Sequence, residues 1–191
     1  MGGELLHKKF KDLNILVTGV SSGIGYAVAK AYDERGANVF GVDINKIKNS
    51  KKLSGKFNFF NCEVQNYNKM KEIVKKIIKK NKRIDILINC AGIIDFKSIE
   101  NSSIHFWKQI IDVNLTGTFI SCKIIAPLMK KNKKGSIINV SSRAAKFGGF
   151  NETAYCASKF GVEGLSRSLY EECKKHNVVV NTITPGTPIK T

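Results

Sequence analysis

The stretch Asn14-Ile15-Leu16-Val17-Thr18-Gly19-Val20-Ser21-Ser22-Gly23-Ile24-Gly25 decides the fold. Its first five residues are a short apolar run that predicts a strand, Asn14–Thr18, and the run stops at a glycine. From Ile24 to Glu34 the spacing turns helical, with Ala27, Val28 and Ala31 on one stripe and Gly36 closing the helix. A glycine-rich turn between strand and helix lets the backbone approach a pyrophosphate, and the helix N-terminus favours its negative charge. The spacing is GxxxGxG rather than the GxGxxG of the standard dinucleotide fingerprint. Glycine turns after strands are common, so this one takes its meaning from its surroundings.

Those surroundings alternate. Further strands are predicted at Asn38–Asp43, Phe57–Val64, Ile84–Cys90, Ser136–Ser141 and Val178–Ile183. Helices are predicted at Tyr67–Lys80, Ser103–Lys131 and Glu152–His176. In the first of these, Met70, Ile73, Val74, Ile77 and Ile78 share a face opposite the lysines. Near-continuous apolar strands alternating with helices imply a parallel sheet covered on both faces. The expectation is an α/β, doubly wound Rossmann fold of six strands in three layers, with right-handed crossovers and ligands at the carboxyl ends of the strands.

Composition narrows the setting. The chain has 191 residues, 42% hydrophobic and 25% charged, enough for one domain with a core. Residues 1–12 read as a tail and 13–191 as the domain. There is no uninterrupted run of about 18 apolar residues, and Met1–Lys11 lacks the apolar centre of a signal peptide, so a cytoplasmic protein without a membrane partner is expected. Cys62, Cys90, Cys122, Cys156 and Cys173 are irregularly spaced, which signals neither a disulfide framework nor a metal site. The net charge of +17 comes from 28 Lys and only 4 Arg. The lysines lie in scattered pairs without interleaved aromatics, so they read as a solvated surface with weak attraction to polyanions and no specific nucleic-acid partner.

Several polar residues stand at strand ends or in helices. Asp43 ends the second strand, where a carboxylate accepts hydrogen bonds from the adenosine ribose and repels a 2′-phosphate. Val20, Ser21 and Ser22 offer no basic side chain to hold that phosphate, which favours NAD over NADP. Tyr155 and Lys159 are four apart on a helix and share a face. A free phenol titrates near pH 10, and an ammonium beside one favours the phenolate, so such a pair can act as acid and base. Ser142, thirteen residues earlier, ends the strand Ser136–Ser141 and could bond a substrate oxygen. Asn89-Cys90-Ala91-Gly92 ends the fourth strand, and Asn114 stands among Ile110, Ile111 and Val113. Pro185-Gly186 follows the sixth strand.

In this order, these residues resemble the short-chain dehydrogenase/reductase family from Leu13 to Thr191, an NAD(P)-binding Rossmann-fold group of oxidoreductases. The resemblance implies that Gly19, Ser21, Ser22, Gly23, Ile24 and Gly25 form the cofactor turn and that Asp43 binds the adenosine ribose. Glu63 and Val64 would meet the adenine. Asn89, Ala91 and Gly92 would support the central sheet and line the adenosine side. Ser142 would polarise the substrate oxygen and Tyr155 would be the acid/base. Lys159 would bind the nicotinamide ribose and lower the Tyr155 pKa, and Asn114 would hold a water linking Lys159 to solvent. Pro185 and Gly186 would pass over the cofactor, and Thr191 would bond the carboxamide, with Thr187 as a rival. No metal is implied. Three departures stand out: Cys90 replaces the second Asn of the family's NNAG, Glu63 replaces an Asp, and Thr191 is spaced one residue further than usual.

The expected function is hydride transfer between NAD(H) and a small secondary alcohol or ketone. One alternative is an NAD-binding fragment or regulator without turnover. Another is a 3-oxoacyl-(acyl-carrier-protein) reductase-like enzyme, whose acidic carrier would suit the basic surface; Asp43 weighs against it, because many such reductases use NADPH. The resemblance also implies a homodimer or homotetramer paired through Ser103–Lys131 and Glu152–His176. The family's substrate-covering helices and last edge strand would follow Thr191, so C-terminal truncation is expected, with the reacting residues present and the pocket open.

Overall fold

The six apolar runs become six strands of one sheet in the computed structural model, which describes residues 10–47, 53–54 and 56–186. They are β1 Asn14–Thr18, β2 Asn38–Asp43, β3 Asn58–Asn61, β4 Ile86–Asn89, β5 Gly135–Val140 and β6 Val178–Ile183. All pair in parallel, in the order β3-β2-β1-β4-β5-β6. The helices are α1 Gly23–Glu34, α2 Tyr67–Asn81, α3 Ile104–Ile111, α4 Gly117–Lys131 and α5 Thr153–Cys173. From β1 the chain steps outward to β2 and β3, then returns to β4 on the other side of β1. That reversal opens a crevice at the carboxyl ends of β1 and β4.

Strand alternation divides the core in two. Ile15, Val17 and Ile88 pack with Ala29 on the α1 side. Leu16, Leu87 and Ile137 pack with Met70, Ile73, Ile77, Ile125 and Met129 of α2 and α4 on the other. The buried stripe of α2 is the one its periodicity predicts, and Asn66 caps it by accepting from Lys69 N at 3.0 Å.

Tertiary pairing shortens or divides four of the predicted elements. The strand expected over Phe57–Val64 is only Asn58–Asn61, because its single neighbour β2 ends at Asp43, the partner of Asn61. The strand expected over Ile84–Cys90 is Ile86–Asn89, the length that β1 can pair. The helix expected over Ser103–Lys131 is interrupted by a π-helical turn at Asp112–Thr116, centred on the buried Asn114. Although Ile104–Lys131 has the length and mean hydropathy of a membrane span, half of that window is buried in the fold. The helix expected to reach His176 ends at Cys173, and a 3-10 turn then closes on Asn177 at φ 55°. Part of the expected tail is packed: the Phe10 ring meets Tyr32 edge-on, with centroids 5.0 Å apart.

A buried polar chain fastens β4 and β5 to α5. Asn89 Nδ2 donates to Asn139 Oδ1 at 2.8 Å, Asn139 Nδ2 to Ser166 Oγ at 2.8 Å, and Ser166 Oγ to Val162 O at 2.6 Å. Removing a middle member strands buried partners, which costs more than the bond itself. Asn139→Ala should therefore lower unfolding free energy by about 2 kcal/mol, measured as a urea midpoint shift at unchanged slope.

Candidate active site

The turn after β1 is shaped by what its glycines lack. A Cβ on Gly25 would stand 2.0 Å from Gly19 O, so only glycine lets α1 start against the end of β1. Gly23 has φ +54° and open space where a side chain would be. Helix α1 then begins without a side-chain cap and without an acidic residue in its first turn. Free N–H groups facing open space suit a phosphate. Beside the turn, Asp43 is oriented at both oxygens: Oδ2 accepts from Ser21 N and Oδ1 from Asn45 N, each at 2.9 Å.

At the ends of β4 and β5 lies a pocket of about 470 Å³. Ile24, Gly92, Ser142, Tyr155, Lys159 and the Pro185-Gly186 loop all line it. Ser142 caps a 3-10 turn over Arg143–Ala145, its Oγ accepting from Ala144 N at 3.1 Å. Lys159 is only 5% exposed; Nζ donates to Val140 O at 3.0 Å and lies 5.7 Å from the centre of the Tyr155 ring. Gly92 leaves room for this head group, since a Cβ there would come within 3.4 Å of Lys159 Nζ and 3.3 Å of Asn114 Oδ1.

Other candidate residues stand behind or beside the pocket. Asn114 is fully buried: Oδ1 accepts from Ile93 N at 2.8 Å, and Nδ2 donates to Ile93 O at 2.9 Å and Ser158 Oγ at 3.0 Å. Its side chain is committed to holding the loop after β4 and the start of α5, and its carbonyl accepts from Thr118 Oγ1 at 2.8 Å. Asn89 belongs to the polar chain between strands, with Nδ2 on Asn139 and Oδ1 buried without a partner among the described residues. Ala91 N donates to Thr18 Oγ1 at 3.2 Å, tying the end of β4 to β1. Val64 turns its side chain into the core, where it fills the space that a Cβ on Gly117 would need. Only its backbone is left for a ligand, while Glu63 remains on the surface. Thr187 and Thr191 lie outside the described residues.

The comparisons agree with this geometry. The family model for short chain dehydrogenases matches residues 13–191. A 3-oxoacyl-(acyl-carrier-protein) reductase of Thermotoga maritima is 36% identical over 177 residues, covering 90% of this chain and 72% of the relative. A D-threitol dehydrogenase of Mycolicibacterium smegmatis is 37% identical over 177 residues, covering 89% and 68%. The ligand-free aldohexose dehydrogenase of Thermoplasma acidophilum superimposes with a TM-score of 0.86 at 32% identity, over 94% of this chain and 68% of that one. The chain belongs to the short-chain dehydrogenase family. It is an oxidoreductase of the kind that uses a nicotinamide nucleotide and a small-molecule substrate.

Sequence reading passed over several residues of this dehydrogenase's pocket. Arg143, Phe96, Phe147 and Glu152 line it, yet none falls in a family motif. Arg143 alone carried a signal, its adjacency to Ser142. Ser158 and Ser166 carry no signal of their own in the sequence, and only the bonds from Asn114 and Asn139 give them a part in the site.

Electrostatics centre on Lys159. Burial brings its pKa down from the ordinary 10.5 to about 8, slightly opposed by the nearby Cys90 thiol. Burial in turn pushes Cys90 up to about 12, which leaves that thiol unreactive at neutral pH. From about pH 8 to 10.5 the unfolded chain keeps a proton on Lys159 that the folded chain has lost, so this group makes stability rise with pH across that window. In urea titrations, the stability difference between wild type and Lys159→Met should move toward the wild type by about 2 kcal/mol from neutral pH to about pH 10. A difference independent of pH would contradict a depressed Lys159.

Proposed function

We propose that this dehydrogenase moves a hydride between NAD(H) and a secondary alcohol or ketone, with Ser142, Tyr155 and Lys159 at the reacting carbon and Asn114 positioning them. The observation that carries the reading is the convergence of those three side chains in one pocket, beside a glycine turn open to a phosphate. Gly19, Ser21, Ser22, Gly23, Ile24 and Gly25 would hold the pyrophosphate, Asp43 the adenosine ribose, and Pro185 and Gly186 the nicotinamide end; Gly92, expected on the adenosine side, lines the pocket beside Lys159 and would instead border the nicotinamide end. When bound, the nicotinamide supplies or accepts the hydride.

The chain's own groups would handle the oxygen and its proton. In the reducing direction Ser142 Oγ holds the carbonyl oxygen and the Tyr155 hydroxyl gives it a proton. The Lys159 ammonium, held over Gly92, stabilises the charge left on the ring oxygen. In the oxidising direction the same groups act in reverse. Tyr155→Phe keeps the ring and removes the proton, so turnover of a ketone panel with NADH should fall by about 10²–10⁴-fold at nearly unchanged NADH affinity. Near-normal turnover in that variant would refute the assignment. NADH binding without turnover of any carbonyl by the wild type would favour a binding protein instead.

The preference for NAD rests on Asp43. Its carboxylate, held by Ser21 N and Asn45 N, would repel a 2′-phosphate on the adenosine ribose, and residues 20–22 carry no cation to offset it. Asp43→Ala with Ile44→Arg should shift selectivity toward NADP by about ten- to a hundredfold, read from direct titration of both nucleotides. A wild type that already prefers NADP would overturn this part. Pairing of two copies is supported by the groove between α4 and α5, lined by Phe119, Pro127, Leu165 and Leu169, with Phe119 45% exposed.

A further inference from the structure

The substrate side of the pocket has an apolar rim and, among the described residues, one unspent charge. Ile94, Phe96 and Phe147 stand 52%, 55% and 65% exposed around the opening. The rim is tied across the site, because Lys97 N on the Phe96 side donates to Asn151 O at 2.9 Å. Arg143 follows Ser142 directly, and its backbone N–H is fixed on Pro185 O at 3.1 Å. Its guanidinium makes no hydrogen bond or ion pair among the described residues.

The other charges lining the pocket are committed. Lys159 is buried on Val140 O and serves the reaction. Glu152 packs on the Gly149 backbone and accepts from the Cys156 thiol at 3.7 Å. It stands at the N-cap position of α5, where the first N–H groups favour a carboxylate, although its side chain makes no capping hydrogen bond. Among the described residues the pocket therefore presents one free cation, that of Arg143 next to Ser142 in the chain, with apolar side chains on its rim. A guanidinium offers paired donors matched to a carboxylate or phosphate.

Resting on the reading above, we propose that Arg143 is a specificity residue that binds an anionic group of the substrate, whose remaining body is apolar and lies against Phe96 and Phe147. The substrate class is then an apolar oxo or hydroxy compound bearing a carboxylate or a phosphate, rather than a neutral polyol. A polyol would find few side-chain partners for its hydroxyls on the apolar rim.

Calorimetric titration tests this in the presence of saturating NAD, with octanoate, octyl phosphate and 1-octanol as probes. At least one of the two anions should bind wild type about tenfold more tightly than octanol, and the better anion identifies the group. Arg143→Gln should erase that difference with octanol and NADH affinities unchanged, and Arg143→Lys should keep part of it. Equal binding of all three probes by the wild type would overturn the inference. So would an anion preference that survives in Arg143→Gln, or weakened NADH binding in that variant, which would make Arg143 a cofactor ligand. The titration reads binding alone, so a failed turnover assay sinks the proposed reaction and not this assignment.

Discussion

The site depends on one buried amide. The Asn114 side chain joins two segments distant in sequence, the loop after β4 through both backbone groups of Ile93 and the start of α5 through Ser158, while its own carbonyl accepts from Thr118 within the helical stretch. A buried amide without partners is costly, so the native arrangement is the one that satisfies all of these bonds together. Meeting them puts an extra residue into the helix, and the π-helical turn at Asp112–Thr116 is the consequence. Such bulges concentrate at functional sites because they aim a side chain that a regular helix would misplace. Here the aim is backward, into the protein. Asn114 touches no open space, yet it sets where Gly92 and α5 stand relative to each other.

Around that joint, the fold keeps a lysine head group in a place that disfavours its charge. Lys159 gives up water for one carbonyl, Val140 O, and the aromatic ring of Tyr155. Burial lowers its pKa toward the range where proton transfer is useful. The cost is tolerable because the surrounding layers are well packed, with Ile15, Leu16 and Val17 of β1 wholly buried on either face. Stability gathered along the central strands offsets the strain gathered at their ends.

The element order and the sheet's centre were legible in the sequence, because a fully buried parallel strand must be apolar on both faces and a covering helix on one. Apolar runs and helical stripes therefore found β1, β2, β5, β6 and α2 within a residue or so. The misses share one cause. Phe57–Val64 and Ile84–Cys90 looked longer because apolar residues continue past the last partner strand, and a ladder can be no longer than its neighbour. The break at Asn114 left only the trace of a polar residue on an apolar stretch, since the groups that bend the helix come from residues 93 and 158.

For the site, the sequence by itself determined which chemical groups are available: glycines where a phosphate needs backbone, a carboxylate at the end of β2, a Tyr and a Lys one helical turn apart. Those follow from local spacing, which fixes what shares a strand end or a helix face. Tertiary structure alone decided which groups meet. It brought Ser142 and Tyr155 into one pocket, turned Val64 and Asn114 inward, and left the Arg143 guanidinium unpaired among the described residues beside the apolar rim. Contacts between residues far apart in sequence depend on how two helix layers seat on a twisted sheet, and no local pattern encodes that seating.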